Sequence, residues 1–306
     1  MAGSRFLLSI SNSNGMKKFL YKIGFAAVCS AIFVTSVYFV MHSRAKSSRP
    51  TNPKCIYVWG DSQMAQGLDV KFLEKKLGVP MLTAAGHGTG VYDFLICVES
   101  IPDSSTCIVS FPECTFLRVP SLDFHRYGFE LGCLEILFRS GCPLEECIRI
   151  AGLNRRKMDY RLFTNIEHEW TPYQDSLVGT EYFDDFRKMF TEKKAYFTWK
   201  TNAYLTGIQH LIEKHVRVIL IQYPFEKQVE EVAANSINRH LSDSLKGMLI
   251  DKYRMRCDTI VLQSDSLLMF DLSHLNEFGE RLLTNTFAKA MKADTVNNRF
   301  FTVVIE

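Results

Sequence analysis

Four short apolar runs, each ending where a turn begins, constrain this chain more than any other feature. They occupy 54–59 (KCIYVW), 80–84 (PMLTA), 106–111 (TCIVSF) and 216–223 (VRVILIQY). Near-continuous apolar character, without polar alternation, suits strands buried on both faces, the situation of a parallel sheet. Segments suited to helices lie among them at 63–77, 91–100 and 202–215. A long helical region, about 226–255, then leads to a short strand at 259–262 and a last helix at 276–291. Strands alternating with helices predict an α/β domain of three layers, α/β/α, built on a short parallel sheet. Of 306 residues, 47% are apolar, which suffices for one sizeable core of this kind.

The alternation breaks between about 115 and 200. This stretch is rich in charge and aromatics, as in TNIEHEWTPYQ and EYFDDFRKMF, and reads as a largely helical insertion in a domain spanning 54–292. Residues 293–306 read as a C-terminal tail. No internal repeat or low-complexity segment appears.

The N-terminus follows a different rule. Residues 23–41, IGFAAVCSAIFVTSVYFVM, carry no charge. As a helix they would reach about 28 Å at ~1.5 Å per residue, close to the ~30 Å hydrocarbon core of a bilayer. No small-residue cleavage site follows, so 23–42 reads as an uncleaved transmembrane anchor rather than a signal peptide. Lys17, Lys18 and Lys22 precede it, and Arg44, Lys46, Arg49 and Lys54 follow, so the positive-inside bias nearly cancels. The short segment 1–22 before it and the large domain after it suit a cytoplasmic tail and an extracytoplasmic domain. Residues 43–53, HSRAKSSRPTN, read as the linker.

A net charge of +3 without a basic block leaves no electrostatic footprint for nucleic acid. The nine cysteines (29, 55, 97, 107, 114, 133, 142, 147, 257) show no C-x-x-C pair and no metal spacing, and no metal or cofactor is expected. Most suit buried positions, with one or two disulfides between 114 and 147 left open.

Two motifs carry chemistry. Gly60, Asp61 and Ser62 directly follow the first strand, where an open α/β sheet presents residues to ligands. The tripeptide alone also reads as a turn with a helix N-cap. Near the other end, Asp271 and His274 sit in DLSHLN before the last helix. An Asp three residues before a His on a loop can accept the Nδ1 hydrogen, leaving Nε2 to face a serine hydroxyl. Serine needs such a base because its free hydroxyl is a weak nucleophile at neutral pH.

Together these pieces resemble the SGNH (GDSL-like) hydrolase superfamily over about 54–292. VWGDSQ matches its serine block and DLSHLNEFG its D-x-x-H block. The resemblance implies a flavodoxin-like SGNH fold, with Ser62 as nucleophile, His274 as general base and Asp271 orienting it. It also implies a backbone oxyanion donor at Gly86 or Gly88, in the AGHGTG run after the second strand. The third family block, G-x-N-D, is replaced by Ser110, Phe111, Pro112, Glu113 and Cys114. Its asparagine is absent, leaving Ser110 or a backbone N–H to substitute; loss of one such donor costs roughly 3–4 kcal/mol of transition-state stabilisation.

The combination of anchor, serine block and irregular third block resembles membrane-anchored members that acylate envelope polymers, such as the D-alanyl-transfer protein of teichoic acids and the alginate O-acetylation proteins. That resemblance implies an ester hydrolase or O-acyltransferase acting on acylated glycans, partnered by a membrane-bound acyl-donor protein. The alternative is a non-catalytic scaffold or glycan-binding ectodomain. His87, Arg118, Tyr223 and the Glu167, His168, Glu169 cluster are further candidates, but capping, packing at a strand end or a solvated helix face is the first reading of such residues.

Overall fold

The computed structural model describes residues 13–47, 52–86, 89–118, 130–152, 180–192, 197–223, 225, 227–252, 257–264, 268–269, 273–292 and 301–305. Two compact units divide the chain, Met1–Arg44 and Ala45–Glu306. The first holds all but the last turn of helix α1 (Ser13–Ser47), which begins before and ends after the expected 23–42. Its described side chains are exposed, Phe19, Phe25, Ile32 and Phe33 among them. Among the described residues no helix is long and apolar enough to cross a membrane.

The second unit alternates strands and helices. In order it holds β1 (Ile56–Trp59), α2 (Ser62–Gly67), α3 (Val70–Leu77), β2 (Met81–Thr83), α4 (Val91–Ser100), β3 (Thr106–Ser110) and α5 (Glu113–Leu117). Helices α6 (Leu131–Arg139), α7 (Leu144–Gly152) and α8 (Thr180–Thr191) follow, so the described part of the insertion is helical. The chain returns through α9 (Phe197–Glu213), β4 (Arg217–Gln222), α10 (Lys227–Ala234), α11 (Ile237–Lys252), β5 (Cys257–Ser264), α12 (Glu277–Lys292) and β6 (Phe301–Ile305).

All pairings are parallel, in the order β2-β1-β3-β4-β5-β6. The apolar runs form β1 to β4 because successive side chains feed two different cores. Tyr57, Trp59, Cys107, Val109, Val218 and Leu220 pack on one face beneath α4 and α9. Ile56, Val58, Ile108, Ile219 and Ile221 pack on the other, against Met64, Leu73, Leu283 and Phe287 from α2, α3 and α12. With both faces covered, neither set of alternate positions can be polar, which is why period-two alternation is missing from the sequence.

Three departures from the sequence reading change the list of elements. The helix expected over 63–77 is two helices, because the Asp69 carboxylate accepts the Phe72 N–H (2.9 Å) and starts α3 anew. The helical region at 226–255 breaks likewise where the Ser236 hydroxyl accepts the Arg239 N–H (3.1 Å). Residues 301–305, assigned to the tail, form β6 on β5; FTVVI is a β-branched run that completes a sheet edge.

Candidate active site

The strand order reverses between β1 and β3, and a crevice forms beyond the carboxyl ends of strands at such a point. Gly60 makes the turn out of β1 there. A Cβ on it would lie 2.2 Å from Met64 Cβ and 2.9 Å from Ser110 Cβ, so only glycine lets α2 and the end of β3 close on this turn. Asp61 caps α2, its Oδ1 accepting the Gln63 N–H (3.1 Å) and its Oδ2 the Thr115 hydroxyl (3.3 Å). Being buried and used in both directions, Asp61 holds the turn and is not available as a base. Ser62 comes next, half-buried, as first residue of α2; an N–H at that position has no intrahelical acceptor.

The opposite wall is the segment before α12. Asn276 donates its N–H to the Leu268 carbonyl (2.9 Å), while its side-chain oxygen accepts the N–H groups of Phe278 and Gly279 (both 3.0 Å). Met269 bridges to Leu275. Gly279 allows this closeness, since a Cβ would lie 2.4 Å from the Leu268 carbonyl oxygen. So braced, the segment presents His274 with Nε2 2.8 Å from Ser62 Oγ, across 212 positions of sequence. The Ser273 hydroxyl lies 3.3 Å from Nδ1. In the tautomer whose Nε2 accepts the Ser62 hydroxyl proton, Nδ1 carries hydrogen and needs an acceptor on that side. Asp271, the expected one, lies outside the described residues, as do His87 and Gly88.

The oxyanion side is arranged differently from expectation. Gly86 donates its N–H to the Gly60 carbonyl (3.1 Å), which also accepts the Thr89 hydroxyl (2.9 Å). The Gly86 donor therefore braces the turn at Gly60. Ser110 is wholly buried, its Oγ without a hydrogen-bond partner among the described residues, and its carbonyl accepts the Tyr204 hydroxyl (3.0 Å). Glu113 turns inward too, into a 3.3 Å ion pair with Arg239. Burial, reinforced by Asp61 and Glu113, pushes the Cys114 thiol well above its usual range, so it is no rival nucleophile.

Of the remaining candidates, Tyr223 and Arg118 make packing and bracing contacts. Tyr223 donates its hydroxyl to Met64 Sδ (3.2 Å), with its ring against Gly67, and burial raises its phenol well above the ordinary value. Arg118 donates to the Thr89 carbonyl (3.1 Å). The Glu167, His168, Glu169 cluster lies outside the described residues; among those described, no group of three His, Cys, Asp or Glu could hold a metal ion. Sequence reasoning missed two residues that shape the site. Gln63 donates its side-chain amide to the Ser273 carbonyl (2.9 Å). Lys200, wholly buried, donates to the carbonyls of Thr115 and Arg118 (both 2.8 Å) and so fixes α5. Neither carries a local signal, since each partner is remote in sequence. Compared with known proteins, the chain matches no family model and no curated protein.

Proposed function

We propose that this chain is a serine-dependent acyl-ester hydrolase or O-acyltransferase of the SGNH type, acting on acylated glycans at the cell envelope. The observation that carries the reading is the 2.8 Å contact of Ser62 Oγ with His274 Nε2. The strand order 2-1-3-4-5 is that of flavodoxin-like sheets, with the serine following β1 beside the switch point, and it supports a three-layer SGNH fold.

In this mechanism His274 takes the hydroxyl proton as Ser62 Oγ attacks the acyl carbon. Asp271 accepts from the imidazole and holds its orientation. The Ser62 N–H, free of an intrahelical acceptor, donates to the oxyanion, and a backbone N–H at Gly88 is the second donor that the proposal requires. Collapse expels the glycan oxygen, which takes the proton from His274, and leaves an acyl-serine. Water or a second sugar hydroxyl then accepts the acyl group, giving hydrolysis or transfer. The uncharged run 23–41 within α1 is the membrane anchor of the proposal, with the catalytic unit outside the cytoplasm and an acyl-donor protein of the membrane as partner.

A fluorophosphonate, which reacts with activated serines, tests the reading without a known substrate. The wild-type chain is expected to be labelled at Ser62 and to cleave p-nitrophenyl acetate. Ser62→Ala should lose both while melting at the wild-type temperature. Full esterase activity in Ser62→Ala sinks the proposal.

A second reading, a scaffold or glycan-binding domain that has kept the fold, draws support from the oxyanion side. The third block lacks asparagine, the Gly86 N–H is bonded to Gly60, and the Ser110 hydroxyl is wholly buried. It predicts glycan binding by folded protein that fluorophosphonate does not label.

A further inference from the structure

We infer that Gln63 is a positioning residue that sets the distance between nucleophile and base, an inference that rests on the catalytic reading of Ser62 and His274. Two pairs of chain neighbours face each other across the site. Ser62 and Gln63 open α2; Ser273 and His274 close the segment before α12. Two hydrogen bonds join them, His274 Nε2 to Ser62 Oγ at 2.8 Å and Gln63 Nε2 to the Ser273 carbonyl at 2.9 Å. The first must change during reaction, as the proton moves and Oγ leaves for the acyl carbon. The second involves no reacting atom and can persist throughout.

Gln63 suits this task in three ways. It is buried, as is Ser273, so water competes poorly for the bond. Its own N–H is held by Asp61 Oδ1 at 3.1 Å, which ties its backbone to the cap of the serine helix. Its target is the carbonyl of the peptide that leads directly into His274, and the Ser273 hydroxyl stands 3.3 Å from Nδ1. Restraint of that one peptide therefore fixes both the reach of Nε2 and the group beside Nδ1. Glutamine is uncharged and ends in an amide with two N–H donors, so it can serve this carbonyl without burying a charge.

The test uses the full chain in mild detergent, with p-nitrophenyl acetate turnover and fluorophosphonate labelling as readouts. Gln63→Met keeps length and removes the donor. Gln63→Glu keeps shape and, when ionised, sets an acceptor against the carbonyl. Displacement of a catalytic group by about 1 Å can cost on the order of 100-fold, so kcat and labelling rate should fall about 10- to 100-fold in Gln63→Met and further in Gln63→Glu, with KM within about twofold. A merely structural role would lower the melting temperature and leave kcat of the folded protein unchanged. Wild-type kcat in folded Gln63→Met overturns the inference, and so does failure of both variants to fold, since Gln63 would then serve stability. If instead Ser62→Ala is as active as wild type, the catalytic reading itself has failed, whatever Gln63 does.

Discussion

A methyl group on Gly60 has nowhere to go: Met64 Cβ on one side and Ser110 Cβ on the other leave it 2.2 and 2.9 Å. Relief requires α2 to move away from the end of β3, and Ser62 moves with it. Gly60→Ala should therefore cost about 1–3 kcal/mol, the usual range for overpacking, and also slow fluorophosphonate labelling. Gly78 provides the comparison. It ends α3 at φ 69° with open space around its missing Cβ. Gly78→Ala should cost about 1 kcal/mol through backbone strain alone and leave labelling at the wild-type rate. Urea denaturation beside labelling kinetics separates the two, and equal labelling losses in both variants would remove Gly60 from its role at the site. The glycine of a GDS tripeptide is thus visible in sequence, but its reason is not, because Ser110 meets it from another strand.

Helices α5, α10 and α11 share one apolar core, through Phe116, Val229, Ala233, Leu245 and Leu249, and charges link them as well. Arg239 of α11 pairs with Glu113 of α5 at 3.3 Å and Glu230 of α10 at 3.0 Å, its guanidinium over the rings of Phe190 and Phe225 at 5.5 and 5.6 Å. Burial acts to lower the guanidinium's pKa, but Glu113, Glu230 and Asp243 together outweigh it and the group is held above its ordinary value. Arg239→Met would leave Glu113 buried without its cation, a loss of about 3 kcal/mol. Adding Glu113→Gln should recover part of that loss, so the double variant melts above the value expected from summing the singles; simple additivity would show that the pair is not coupled. Strands β1 to β4 were legible to within a residue or two, because two-sided burial writes itself as unbroken apolar runs, whereas β6 at 301–305 was read as tail. Breaks at Asp69 and Ser236 were less so, since each depends on one capping side chain within an otherwise helical pattern. The Glu113–Arg239 pair leaves no periodic trace, as its partners stand on different helices far apart in the chain.

At the scale of the whole molecule, the chain joins two units that differ in how they place apolar side chains. The α/β unit sorts its apolar side chains into two cores on either side of the sheet, whereas α1 leaves Phe19, Phe25, Ile32 and Phe33 exposed along a helix of 35 residues. Exposed apolar residues at that density have a cost in water of about 25 cal/mol per Å² of apolar surface, which a lipid environment removes. The same asymmetry made the sequence readable in parts: 23–41 stands out because it lacks any charge, and the domain because its runs are short. What the candidate site needed beyond this was the meeting of Ser62 with His274, and sequence supplied only two motifs near opposite ends of the domain. Removal of residues 1–47 should then separate the two behaviours. The remaining chain is expected to stay in the supernatant without detergent, to unfold with the same urea midpoint as the full chain, and to label with fluorophosphonate at the same rate. The full chain should sediment with membranes and resist carbonate extraction. Extraction of the full chain by carbonate would remove the anchor from the proposal. A fall in urea midpoint on truncation would instead show that α1 contributes to the stability of the α/β unit.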